Sequence, residues 1–222
     1  MSVITISREF GSEGDTIAEK VAQTLGYHLV DKALIGSVLS QYGMVEFDKE
    51  YDELPGFWER FDAQREERRA LMADMLNQVI RAVAHHGNVV IVGRSGFAIL
   101  QDFADVLNVR IQSPLAIRIN RVMAQQGVTT EQAEALVKEG DKVRSAFVES
   151  FYKVQWDTAS AFDLMLDTSK VSPEMATTWV VQAATALNER PANGRQTCAS
   201  IQVDSILAGA VSDALRCKAV HG

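Results

Sequence analysis

Residues 8–16, Arg8-Glu9-Phe10-Gly11-Ser12-Glu13-Gly14-Asp15-Thr16, place two glycines and two hydroxyl side chains between a β-branched run and an amphipathic pattern. A glycine-bearing turn that feeds a helix start presents unpaired backbone N–H groups and the positive end of the helix dipole, which together suit an anion. Gly11, Ser12, Gly14 and Thr16 are therefore candidate phosphate-binding residues, with Arg8 as a candidate neighbouring cation. A plainer account uses the same letters: Thr16-Ile17-Ala18-Glu19 is a capping-box pattern, and Gly11 and Gly14 serve the turn alone. Spacing by itself leaves both accounts open.

Further cations occur downstream. Arg118 and Arg121 lie three apart on one helical face, and Lys138, Lys142 and Arg144 follow, so a mobile helical pair could close over phosphates. The competing account is a solvated face paired with Glu131, Glu134, Glu139 and Asp141. Arg94 ends the apolar run Val89-Val90-Ile91-Val92, where an arginine is rarely placed without an anionic partner. Asp31 ends another strand-like run and either holds substrate or caps the next helix. His28, His85, His86 and His221 have no metal-ligand spacing, and Cys198 and Cys217 read as ordinary thiols.

The elements that position these residues follow from periodicity. Strands are expected at 3–7, 27–31, 89–92, 106–111 and 162–167, and helices at 17–25, 33–39, 71–85, 115–124, 130–151 and 173–188. Segment 46–67 holds nine acidic and three basic residues around Pro55-Gly56 and reads as a solvated insertion. Strands alternating with helices imply βαβ units and a parallel sheet covered on both faces. In such a sheet ligands bind beyond the carboxyl ends of the strands, where Arg8–Thr16, Asp31-Lys32, Gly93-Arg94 and Ser113 all fall. After a linker containing Pro191, Asn193 and Gly194, a strand at 199–204 and a helix at 206–216 are expected. The organisation is one domain over 1–189, with 46–85 near an acceptor site and 115–155 as a helical lid, followed by an appendage over 190–222.

A chain of 222 residues with net charge −7 can bury a real core and gains little from counterion release, which argues against a nucleic-acid partner. No uncharged apolar run reaches the ~18–20 residues of a membrane span, and the amino terminus does not read as a signal peptide. The expected location is the cytoplasm, with self-association left open.

The loop does not satisfy the phosphate-loop motif, since Glu9 and Asp15 fall where its first glycine and its lysine would stand. A carboxylate about 4 Å from a phosphate charge costs up to roughly 4 kcal/mol at an effective dielectric of 20, so triphosphate binding here requires cations from elsewhere. Several segments nonetheless resemble the cytidylate kinase-like proteins, relatives of cytidylate kinase among the P-loop nucleoside monophosphate kinases. They are Ile4-Thr5-Ile6-Ser7-Arg8-Glu9-Phe10-Gly11-Ser12-Glu13-Gly14, Tyr27-His28-Leu29-Val30-Asp31-Lys32 and Val92-Gly93-Arg94-Ser95-Gly96. The pattern continues through Arg118-Ile119-Asn120-Arg121-Val122-Met123, Asp141-Lys142-Val143-Arg144 and Phe162-Asp163-Leu164-Met165-Leu166-Asp167-Thr168-Ser169, covering residues 1 to about 188.

The resemblance implies an α/β P-loop NTPase-type three-layer fold, with a five-stranded parallel sheet and a helical lid. It implies transfer of the ATP γ-phosphate to a nucleoside monophosphate, typically CMP or dCMP, with Mg²⁺. By position, Gly11, Ser12, Gly14 and Thr16 would cradle donor phosphates, Asp31 and Arg94 would face the acceptor, and Arg118, Arg121 and Arg144 would be lid cations. The loop departs from the family pattern at Glu13, where glycine is common, and at Asp15, where a basic residue is common. A non-catalytic nucleotide or anion sensor, and a kinase for another small hydroxyl acceptor, are the alternatives these departures and the acidic segment leave standing.

Overall fold

The computed structural model describes residues 2–44, 63–93 and 95–219. Arg94 and most of the acidic segment 46–67 therefore lie outside the described residues. Strand β1 (Val3–Arg8) is central in the sheet: five of its residues, Val3 to Ser7, are buried apolar or hydroxyl side chains, and it pairs on both edges. It leads through the loop into α1 (Gly14–Leu25), which stops at Gly26 in the left-handed conformation that glycine favours. Next come β2 (His28–Val30), α2 (Lys32–Gln41), α3 (Ala63–His86), β3 (Val89–Val92) and α4 (Gly96–Leu100). Then follow β4 (Val106–Gln112), α5 (Leu115–Gln126), α6 (Thr130–Tyr152), β5 (Leu164–Asp167), α7 (Pro173–Asn188) and α8 (Ser205–Ala219).

The sheet has the order β2-β3-β1-β4-β5, with every pairing parallel. Ile4 lies opposite Val90 on one side, and Ser7 opposite Arg110 on the other. Because side chains alternate along a strand, Ile4, Ile6, Val90, Val92, Val109 and Ile111 share one face with Ile17, Val21 and Val180 of α1 and α7. Val3, Val89, Ile91 and Val106 share the other face with α2 and α3. Helices α5 and α6 pack against each other around Ile119, Val122, Ala133 and Val137.

The sheet edge that matters for function is set by short connections. Gly93 N donates to Ile6 O at 3.2 Å, and Glu9 N to Ile111 O at 3.1 Å, so the ends of β1, β3 and β4 are level. Helix α6 opens with a capping box, Thr129 accepting from Gln132 N while the Gln132 side chain accepts from Thr129 N.

The tail corrects one expectation. Residues 199–204 form no strand: a 3-10 turn at Cys198–Ser200 is followed by extended, unladdered backbone, and α8 begins at Ser205. The alternating Ile201 and Val203 pack on the α3 core instead of joining the sheet. Cys198, Leu207, Val211 and Leu215 are buried in that core, and Cys198 N donates to both oxygens of Asp105, at 2.8 and 3.1 Å. Burial, reinforced by the Asp105 charge, pushes the Cys198 thiol well above the usual thiol range.

Candidate phosphate-binding site

The loop between β1 and α1 turns on two left-handed residues, Gly11 at φ 76° and Glu13 at φ 66°. Glu13 is the N-cap of α1 and makes no side-chain cap bond, and Thr16 sits exposed inside the first turn. This excludes the capping role considered for Thr16. The first helical bond is Ile17 N to Glu13 O at 3.1 Å, so the amides of Gly14, Asp15 and Thr16 precede it and open toward the loop, at the positive end of the helix. Gly14 is required sterically: a Cβ there would lie 2.4 Å from Arg8 Cβ. Ser12 is buried, and its hydroxyl donates within the loop to Glu9 O at 2.8 Å.

Each loop carboxylate has a guanidinium. Arg8 holds Asp15 at 2.8 Å, and Arg121 holds Glu13 at 2.8 Å. Arg121 also donates to the Thr168 hydroxyl (2.9 Å) and carbonyl (2.7 Å), while that hydroxyl donates to Ser12 O at 3.0 Å. Glu9 lies deeper, accepting from Ser113 N at 2.9 Å beside Arg118 (3.4 Å) and Arg110 (3.7 Å).

Arg118, expected as a lid cation, lies on α5 within the expected lid region. It is buried, donating from Nε to Ser113 O at 2.8 Å and from Nη1 to Phe10 O at 3.1 Å and to Asp141 at 2.5 Å. A buried guanidinium with Nε and Nη1 committed to two carbonyls and a carboxylate braces the loop. Arg144 lies over the Phe10 ring at 5.2 Å and donates to Gly140 O at 2.8 Å, next to the loop. Lys138 and Lys142 pair with Glu134 and Glu139 of their own helix on an exposed face.

Asp31 caps α2, accepting from Leu34 N at 2.9 Å, at the carboxyl end of β2. The partner expectation for Arg94 falls outside the described residues. His28 and His86 meet edge to face at 5.7 Å, and partial burial followed by the His86 charge lowers the His28 pKa. Among the described residues no group of three or more His, Cys, Asp or Glu is placed to hold a metal ion. A pocket of about 350 Å³, with Leu107, Leu187, Arg190 and Arg195 in its wall, lies at the opposite end of β4 from the loop.

Sequence reasoning assigned no role to Arg110 or Trp156, and although Glu9, Ser113, Asp141 and Thr168 fell in segments it singled out, it gave none of them a part in holding the site together. Arg110 is 2% exposed, stacked 4.3 Å from the Trp156 ring and donating to Trp156 O at 2.9 Å. Desolvation lowers its pKa, opposed chiefly by the Glu9 charge. A signal was present: Thr5 and Ser7 of β1 and Asn108 and Arg110 of β4 fall at alternate positions, forming a polar stripe on one face of two otherwise apolar strands. The stripe is internally bonded, Thr5 to Asn108 at 2.7 Å and Trp156 to Ser7 at 3.2 Å.

A five-stranded parallel sheet in the order 2-3-1-4-5, with a glycine turn joining its central strand to a helix N-terminus, defines a kinase-type P-loop α/β protein. The chain belongs to the cytidylate kinase-like family, whose model matches residues 3–170. It is 30% identical over 175 residues to the cytidylate kinase of Pyrobaculum aerophilum, covering 78% of this chain and 86% of that one. It is likewise 30% identical over 176 residues to the cytidylate kinase of Pyrococcus horikoshii, covering 78% and 82%. An uncharacterized protein from Eubacterium ventriosum has the same fold, with TM-score 0.65 and 23% identity over 86% of this chain and 100% of that one.

Proposed function

We propose that the protein transfers the γ-phosphate of ATP to a nucleoside monophosphate, CMP or dCMP first. The observation that carries this is the opening of α1: three amides not used by the helix, with Arg8 and Arg121 held on the adjoining loop acids and Arg144 over the ring of the loop residue Phe10. Family membership and relatives named cytidylate kinase support the substrate class.

Phosphoryl transfer requires mostly positioning and charge neutralisation, and no nucleophilic side chain is needed. The phosphate oxygen of the acceptor attacks the γ-phosphorus, the bond to the β–γ bridging oxygen breaks, and ADP departs. The amides around Gly11, Ser12, Gly14 and Thr16 hold the donor phosphates. Arg121 and Arg8 turn from Glu13 and Asp15 toward the incoming charge, and Asp31 and Arg94 face the acceptor. Mg²⁺ fits as an ion that keeps its waters and arrives on the phosphates: the exposed Thr16 hydroxyl at the first turn is the protein group to hold it, where it would neutralise charge on the transferred group.

A second reading, a nucleotide sensor without turnover, is favoured by one observation: the loop acids occupy the same arginines that phosphates would use. A coupled ADP-release assay over CMP, dCMP, UMP and AMP with ATP and Mg²⁺ separates the two. The kinase reading expects turnover with CMP or dCMP that falls at least tenfold in Arg94→Ala. Thermal stabilisation by ATP with no turnover on any acceptor would favour the sensor.

A further inference from the structure

Phe10 is gripped on both sides of its own backbone. Its N–H donates to Asp141 Oδ1 at 2.9 Å, its carbonyl accepts from Arg118 at 3.1 Å, and Asp141 Oδ2 and Arg118 are themselves paired at 2.5 Å. The Phe10 ring packs into the α5–α6 seam beside Ile119, Val122, Ala133 and Val137. Next to Asp141, Gly140 interrupts the long helix α6, and its lack of a side chain is what admits the ring: a Cβ there would lie 3.0 Å from Phe10 Cδ2 and 2.9 Å from Arg144 Nη1. Glycine in a helix interior is otherwise unfavourable relative to alanine. Backbone hydrogen bonds and a glycine against which the ring packs closely thus tie the same loop residue to the same helix turn.

We propose that Asp141 is a positioning residue for the phosphate-binding amides: with Gly140 and Arg118 it locks Phe10 to α6, so that the loop and the α5–α6 pair move as one body. The loop amides beyond Phe10 keep the converging arrangement a phosphate needs only while α6 is docked, and displacement of α6 is transmitted directly to them. In this role Asp141 and Gly140 act on the nucleotide only through the loop. The proposal rests on the kinase reading for its kinetic consequences but not for its structural ones.

The test uses Asp141→Ala, Asp141→Asn and Gly140→Ala, with Ser145→Ala on the same helix as a control away from the loop. Asp141→Ala is expected to raise KM for ATP about tenfold or more while KM for CMP changes less than twofold. Asp141→Asn, which keeps an acceptor for Phe10 N–H but loses the charge facing Arg118, is expected to fall between. Gly140→Ala discriminates most sharply. If the glycine served only the helix, alanine would stabilise the protein and leave KM unchanged; if it admits Phe10, KM for ATP rises several-fold. Hydrogen exchange gives a readout independent of turnover, with amides of residues 11–14 exchanging at least tenfold faster in Asp141→Ala and those of β1 unchanged. Equal changes in both KM values, or loop exchange identical to wild type, would overturn the proposal. Absence of turnover in the wild type would overturn the kinase reading alone, leaving exchange to decide this one.

Discussion

At the scale of single residues the unusual position is Glu13. It adopts φ 66°, a conformation costing a non-glycine residue of order 1 kcal/mol, and directs its carboxylate to Arg121 at 2.8 Å. The pair is only partly exposed, 20% and 27% for the two side chains, so it competes effectively with any ligand for that guanidinium. Glu13→Gly removes both the strain and the competitor. We expect the dissociation constant of a non-hydrolysable ATP analogue, measured calorimetrically, to fall by about tenfold, equivalent to about 1.4 kcal/mol. An unchanged constant would mean that Arg121 never reaches the triphosphate.

At the scale of elements, much of the fold was legible, because the apolar periods were unambiguous where burial is two-sided. Val89–Val92 is a strand at the expected residues, and Pro173 opens α7 as expected at N1. Segment 199–204 was misread because alternation reports which side chains point inward, and Ile201 and Val203 do so without a neighbouring strand. The expected strand at 162–167 starts later, at Leu164, since Asp163 uses its carboxylate to accept from Asn108 N at 2.8 Å just ahead of the ladder. In the candidate site the loop, its glycines and its cations could be read locally. Their partners could not, because Glu9 with Ser113 and Arg121 with Thr168 join positions brought together by the sheet topology, and Arg118 with Asp141 positions that meet only when α5 packs on α6.

The joint between β1 and α1 yields an element-level prediction. In Gly14→Ala the new methyl meets Arg8 Cβ and Cγ, near the backbone of β1, at 2.4 and 2.8 Å. The strand cannot yield without disturbing its ladders to β3 and β4, so α1 must shift. Overpacking of this kind costs about 1–3 kcal/mol. The variant should unfold at lower denaturant with an unchanged slope, and lose ATP-analogue affinity more than in proportion to its stability.

For the whole molecule the question is what residues beyond the family match contribute, since the match ends at position 170. Four tail side chains, Cys198, Leu207, Val211 and Leu215, are at most 4% exposed and lie against Leu39, Leu76, Val79 and Val83 of α2 and α3. At ~1.5–3 kcal/mol for each large apolar side chain buried, and allowing for a partly compact unfolded chain, their removal costs roughly 5–8 kcal/mol. That is comparable to the entire stability of a typical domain, about 5–15 kcal/mol. Deletion of residues 196–222 also removes the carbonyl that Ala104 N donates to at 2.8 Å and leaves Asp105 without its Cys198 amide. We therefore expect the shortened chain to lose its cooperative denaturation transition, or to shift its midpoint to near zero denaturant, as followed by circular dichroism. Because α3 carries the chain from the acidic segment into β3, and β3 ends at Val92, two positions before Arg94 in the sequence, undocking the tail is expected to loosen the acceptor side before the phosphate loop. In a partially destabilised Leu215→Ala variant, KM for CMP should accordingly rise before KM for ATP does. A truncated chain that unfolds cooperatively at the full-length midpoint would instead make the tail an ornament on a self-sufficient core.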